Sequence, residues 1–125
     1  MSILVETLRV GEYAMNCYLV ENTDTRGVVL VDPGADAPRI RVALAGRTPV
    51  AVLLTHGHYD HIGAVDAICD AYRIPLYIHP GDIPKLTDPH LNVGDEFAHD
   101  TTVHTAPTPV ADNQTLVLAG MPITV

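Results

Sequence analysis

Basic residues are scarce in this chain: seven Lys and Arg stand against fifteen Asp and Glu, for a net charge of −8, and the seven form no cluster. A protein that grips a phosphate backbone needs clustered Lys and Arg, so nucleic acid is not an expected partner. Long apolar runs are missing as well. Nothing approaches the ~20 consecutive residues that cross a bilayer, and in the opening MSILVETLRV the residues Glu6 and Arg9 interrupt any leader-like run. The expectation is a soluble, cytoplasmic protein with no membrane partner. Cysteine is limited to Cys17 and Cys69, which suits small apolar filler in a strand and a helix rather than a disulfide framework. No Gly-x-Ser-x-Gly occurs and neither cysteine adjoins the histidine-rich stretch, so a Ser or Cys nucleophile is not indicated.

What is present is an ordinary globular composition, 47% hydrophobic and 18% charged over 125 residues, with room for one domain. One stretch stands apart. In Thr55-His56-Gly57-His58-Tyr59-Asp60-His61, four metal-capable side chains fall within six residues. The run Val50-Ala51-Val52-Leu53-Leu54 before it is continuous and partly β-branched, as in a strand buried on both faces. After it, Ile62, Val65, Ile68, Cys69 and Tyr72 recur at helical spacing until Pro75 blocks continuation. The cluster therefore belongs on a strand-to-helix loop, beyond the carboxyl end of a strand, where ligands collect in open α/β sheets.

His56 and His58 are separated by one residue, so in a nearly extended segment both rings can project to one side and converge on one cation. Asp60 and His61 point elsewhere as the chain turns into the helix. Four ligands on so short a loop do not close easily around one tetrahedral ion, but they can serve two neighbouring ions, each completed from elsewhere. Imidazole and carboxylate without thiolate suit zinc, iron or manganese. The competing explanation is a set of surface histidines in a chain that has seven.

The remaining elements follow from pattern. Residues 3 to 10, 15 to 21 and 28 to 31 read as three strands of an antiparallel meander. Asp36 is expected to cap a short helix with Pro38 in its first turn, an apolar stripe of Ile40, Ala43 and Leu44, and Gly46 at its close. A further strand covers residues 75 to 78, and the alternation of strands and helices predicts a mixed α/β sheet covered by helices. Residues 80 to 113 are rich in proline and polar side chains and are expected to hide a short helix near 82 to 87 and a strand near 101 to 105. His79 is expected to be structural or close to substrate, and His90, His99 and His104 to be solvated. The end of the chain reads as a hairpin of residues 115 to 118 and 123 to 125. Asp32 ends a buried strand at a Pro-Gly turn. Its carboxylate either orients a ligand or its loop, or acts as an ordinary turn aspartate.

The segment THGHYDHIGA, Thr55 to Ala64, resembles the signature of the metallo-β-lactamase superfamily, and Asn16-Cys17-Tyr18-Leu19-Val20 and Val31-Asp32-Pro33-Gly34 resemble its next most recognisable segments. The resemblance implies a four-layer αββα sandwich, with His56 and His58 on one metal and Asp60 and His61 on a second. It also implies that Asp32 orients this set and that Asp60 holds its metal and orients the attacking water. Histidine at position 61 and the surrounding sequence are most similar to the glyoxalase II-like branch. The implied activity is hydrolysis of a thioester or ester, with lactone as a further substrate class, by a metal-bound hydroxide with two Zn2+, Fe or Mn ions. An iron-dependent sulfur dioxygenase of the same fold and a non-catalytic metal-binding module are the alternatives. The resemblance covers the whole of residues 1–125 but only about the first half of the family domain. The Thr-Pro-Gly-His-like loop, bridging aspartate and final histidine of the family have no counterpart here. The chain is therefore expected to be the N-terminal portion of one domain, to be inactive alone, and to self-associate through an open sheet face.

Overall fold

The computed structural model describes residues 2–125. Three strands, β1 (Ile3–Val10), β2 (Met15–Asn22) and β3 (Gly27–Val31), form the antiparallel meander. Helix α1 (Ala37–Ala43) then crosses to β4 (Thr48–Leu53), which pairs in parallel with β3. Two short helices follow, α2 (Tyr59–Ile62) and α3 (Val65–Tyr72), then β5 (Leu76–Ile78) and β6 (Pro107–Pro109), both parallel to their neighbours. The order across this mixed sheet is β1-β2-β3-β4-β5-β6, and β7 (Thr115–Leu118) with β8 (Met121–Thr124) makes a separate two-stranded hairpin.

Alternation along the strands sends Cys17, Leu19, Val28, Leu30, Val52, Leu76 and Ile78 to one face, where they pack with Ile40 and Leu44 and with Val65, Ile68 and Cys69 of α3. Burying each of these aliphatic side chains is worth about 1.5–3 kcal/mol. Both cysteines are buried and free, in the apolar roles expected of them. Burial pushes the Cys17 thiol up to about 12 and that of Cys69 up to about 11, so neither is a thiolate. One charged group lies among the buried residues of this edge: Glu21, 3.1 Å from Arg47 Nε, whose guanidinium also reaches Glu6 at 3.0 Å.

The opposite face is only partly covered. Val29 and Ala51 are adjacent in register and fully buried there, as are Val110 and Met121 outside the main core. The hairpin turn is held against the sheet by Asn22, whose Nδ2 donates to Ala119 O at 2.8 Å. Positive φ at Ala119 (53°) and Gly120 (74°) matches the two-residue turn that suits twisted strands. Met121 and Pro122 belong to β8 rather than to the turn. Val5, across from Val20 and Val29 on this face, remains 57% exposed, and Ile3 is 53% exposed.

Three expectations need correction. The helix after the histidine loop is broken at Gly63–Ala64, because the chain there packs against the Pro33–Gly34 turn: Ala64 N donates to Pro33 O at 2.9 Å. Asp36 does not cap α1 with its side chain; its carboxylate accepts instead from Gly11 N at 2.9 Å, fastening the β1–β2 turn. Residues 101 to 105 form no strand. They hang on Asp66, which accepts from the N–H groups of His104 and Thr105 and from the Thr105 hydroxyl, and the sheet edge is taken by β6. Two prolines in β6 are tolerated because an edge strand has a side that needs no donors. The helix expected near residue 82 is a 3-10 helix over Pro80–Leu86.

Candidate metal centre

The parallel pairing of β3 with β4 puts Val31 opposite Leu53, so the two strands end together and the residues just beyond them meet. Asp32 leaves β3 with φ of 54°, a left-handed conformation uncommon outside glycine. Its buried carboxylate then faces the loop after β4. Oδ1 accepts from Thr55 N at 2.8 Å, and Oδ2 accepts from the Thr55 hydroxyl and lies 3.0 Å from His61 Nδ1.

A carboxylate only accepts, so His61 carries its proton on Nδ1 and leaves Nε2 as a free lone pair. The Thr55 hydroxyl has its hydrogen committed to Asp32, so at 3.0 Å from His56 Nδ1 it accepts from that nitrogen. His56 Nε2 is thereby free too. One buried carboxylate thus fixes the tautomers of two imidazoles, the arrangement by which metal-binding histidines are oriented.

The rings converge. His56 and His58 have centroids 4.7 Å apart, and His56 and His61 only 3.9 Å. Asp60 Oδ1 lies 3.8 Å from His61 Nε2. Burial, and then the charge that His61 would carry, hold His56 below its ordinary value. A neutral imidazole with an exposed lone pair is the ligating form, so this donor set fits a divalent cation. Among the described residues Asp32, His56 and His61 have ligand atoms within 4.8 Å of one another. Both Asp32 oxygens already accept hydrogen bonds, so Asp32 suits the role of orienting the histidines rather than that of a ligand.

The other histidines stand apart from this centre. His79 accepts from Gly81 N and caps the 3-10 helix. His90 and His104 are exposed, with Asp95 and with Asp66 and Asp70 as acidic neighbours. His99, expected to be solvated, is instead half-buried against the Tyr59 ring, lines a cavity beside Asp60 and has Glu12 3.0 Å from its Nε2. No sequence signal marked Thr55 as a relay, or the polar groups behind the loop: Asp82 accepts from Gly57 N, and Asn92 O accepts from Tyr59 N. The cavity beside Asp60, of about 380 Å3, is lined by Val10, Tyr13, Met15, Ala35 and Tyr59 together with Glu12, Asp36, His99 and Thr101.

Residues 10–124 match the family model described as the metallo-beta-lactamase superfamily. A probable metallo-hydrolase of Bacillus subtilis, YqgX, is 38% identical over 85 residues, which is 66% of this chain and 39% of that protein. The crystal structure of BLEG-1 B3 metallo-beta-lactamase superposes with a TM-score of 0.90 at 34% identity, over 97% of this chain and 59% of that one. The structure of TTHA1623 in a di-iron-bound form gives a TM-score of 0.75 at 30% identity, over 90% of this chain and 57% of that one. The chain spans about half the length of the curated relatives it matches.

Proposed function

The chain belongs to the metallo-beta-lactamase superfamily, and on that premise we propose that it carries the first half of a two-metal hydrolytic centre, with His56 and His58 as ligands of one ion and Asp60 and His61 of a second. The single observation that carries this reading is the pair of Nε2 lone pairs, on His56 and His61, set free by one buried carboxylate. Zinc suits the donors, and the di-iron form of a similar protein supports iron equally. A bound cation would supply Lewis acidity, making hydroxide available at neutral pH and polarising a carbonyl. The protein's own part is orientation. Asp32 and Thr55 hold the imidazoles, and the Asp60 carboxylate, which lines the cavity, would hold its ion and orient a water for attack.

The substrate class we favour is a thioester or ester. The cavity beside Asp60 has a mainly apolar lining that includes the acidic groups Glu12 and Asp36, which fits an uncharged acyl substituent and disfavours carboxylates. The anionic part of an S-acyl-glutathione-type substrate would then lie outside it. Two protein ligands per ion fall short of the three plus water usual at a catalytic zinc. We therefore assign residues 1–125 to the N-terminal portion of one domain and the complete activity to a chain of the relatives' length.

The test is a hydrolysis assay with acyl thioesters, lactones and β-lactams on both the 125-residue chain and a chain of the relatives' length, with and without a chelator. Chelator-sensitive thioester turnover only in the longer chain is expected. Absence of metal-dependent hydrolysis from both would leave the non-catalytic metal-binding module as the better account, and turnover by the 125-residue chain would refute the division of ligands proposed here.

A further inference from the structure

Three alternate N–H groups of the histidine loop are each held from outside it. Thr55 N donates to Asp32 at 2.8 Å, Gly57 N to Asp82 Oδ2 at 3.0 Å, and Tyr59 N to Asn92 O at 3.0 Å. His56 and His58 lie between them and Asp60 directly follows, and with His61 these are the candidate ligands. His58 is extended backbone, where successive residues face opposite ways, and helix α2 begins at Tyr59, directly beyond it. Anchoring one set therefore fixes the direction of the other.

Two of the three anchors, Asp82 and Asn92, come from the segment between Pro80 and Thr101, and the hydrolytic reading gives neither of them a part. Asp82 is itself held, with Lys85 Nζ 3.1 Å from its Oδ1. The approach at Gly57 is close: a Cβ there would lie 2.8 Å from the Lys85 Cβ and 3.1 Å from Asp82 O. Asn92 is fully buried and all its polar groups are employed. Nδ2 donates to Lys85 O at 3.0 Å and Thr101 O at 2.8 Å, and Oδ1 accepts from Gly94 N at 2.9 Å. Its own N–H donates to Asp88 O at 3.0 Å, which leaves its carbonyl aimed at Tyr59. The Tyr59 ring completes the joint by stacking on Phe97 and His99, with centroids 5.3 and 5.0 Å apart.

We propose that Asp82 and Asn92 are positioning residues, and that the Pro80–Thr101 segment is a bracket that presets the spacing of His56, His58 and Asp60 before any ion arrives. The inference rests on the metal-centre reading for its purpose, but not for its geometry. A segment with this many internal hydrogen bonds loses little further freedom when the ligands are engaged, which is how preorganisation raises affinity.

The experiment uses the metal-free 125-residue chain first. Amide exchange at Gly57 and Tyr59 and the imidazole resonances of His56 and His58 are followed by NMR in wild type, Asp82→Ala, Asp82→Asn and Asn92→Ala. Asp82→Ala is expected to release the Gly57 amide and to broaden or shift both imidazoles. Asp82→Asn retains an acceptor for Gly57 and should restore them. Titration with Co2+, read by its visible spectrum, should then show binding weakened about tenfold or more in Asp82→Ala and Asn92→Ala, and within about threefold of wild type in Asp82→Asn. Released amides with unchanged imidazoles would overturn the proposal and leave the segment a merely structural brace. So would Asp82→Asn behaving like Asp82→Ala. Should wild type take up no Co2+ either as this chain or at the relatives' length, the metal-centre reading fails, and the imidazole resonances still decide whether the bracket orders the loop. Asp82 is partly exposed, at 22%, so its variants are expected to fold.

Discussion

Asp32 Oδ2 and His61 Nδ1 lie 3.0 Å apart although 29 residues separate them in the chain. The same carboxylate holds Thr55, and through it His56, so removing it strips the orientation from two imidazoles at once. Asp32→Ala is expected to weaken Co2+ or Zn2+ uptake by about tenfold to a hundredfold. It should also destabilise the metal-free chain by about 1 kcal/mol or more, because the part-buried donors Thr55 and His61 lose their acceptor. Asp32→Asn keeps an acceptor for Thr55 N but turns a donor toward groups that already donate. It should recover part of the stability and little of the metal affinity. Metal titration and thermal melting of the three chains decide this.

His56→Ala combined with His58→Ala should abolish most specific metal uptake. His90→Ala combined with His104→Ala should change it little, since both rings are exposed and each already faces a carboxylate away from the centre. Metal content after gel filtration distinguishes the two pairs. A larger loss from the second pair would sink the assignment.

Gly34 sits against the backbone of the histidine loop. A Cβ there would lie 1.9 Å from Asp60 O and 3.2 Å from the His61 Cα, and neither atom belongs to a flexible side chain. Gly34→Ala must therefore displace the loop or the Pro33–Gly34 turn. A loss of about 2 kcal/mol or more, in the range of overpacked interiors, is expected in thermal or urea unfolding. Metal affinity should fall with it.

The stability of the metal-free chain should rise with pH in two windows. Burial pushes the Asp66 carboxyl up, but the N–H of His104 and the Thr105 hydroxyl and N–H outweigh it and hold Asp66 below its usual 3.8. Burial likewise raises Asp82, and Lys85 and Gly57 N outweigh it. Both carboxylates thus bind protons more readily unfolded than folded. Their stabilisation is present above pH 3.8 and is lost as pH falls through the lowered values. His56 is also depressed, from 6.5, by burial and then His61. Unfolded His56 takes up a proton first, so this contribution is present above 6.5 and lost as pH falls through the folded value. Melting curves with a chelator across these windows check the signs, and stability that falls with rising pH in either would contradict them.

Val5 and Ile3 lie more than half exposed on the β1 edge of the sheet face that the β7–β8 hairpin covers only in part, and Val117 of the hairpin is 71% exposed. Apolar surface removed from water is worth about 25 cal/mol per Å2. The 125-residue chain is therefore expected to form dimers or larger species, or to bind a hydrophobic dye strongly. Light scattering and dye fluorescence over a range of concentrations measure this. A dye-silent, cooperatively melting monomer of 13.4 kDa would show that the face needs no cover.

Most of the framework was legible in local pattern. Alternation in β1 and β2 and the continuous apolar runs of β3 and β4 depend on near neighbours and fall close to where the sequence puts them, and the spacing from Ile62 to Tyr72 is helical apart from the break at Gly63–Ala64. The histidine loop was legible for the same reason, since its four candidate ligands are adjacent in the chain. Among the described residues no helix is long and apolar enough to cross a membrane, as the absence of apolar runs required. The pattern failed over Pro80–Asn113, where polar side chains and prolines carry no period. There it expected a strand near 101 to 105, and the chain instead hangs on Asp66 from α3.

Tertiary structure decided everything that depends on which strand ends meet. Sequence left Asp32 open between a turn residue and a residue that orients ligands. The parallel register of Val31 with Leu53 brings its carboxylate to Thr55 and His61. No local signal marked Asp82 or Asn92, because a hydrogen bond to the backbone of another segment leaves no trace in the composition of either. Side-chain periodicity is set by neighbours along the chain, whereas these contacts are set by crossover connections. The residues that could hold a metal were therefore written in one stretch of sequence, and the residues that aim them were assembled only by the fold.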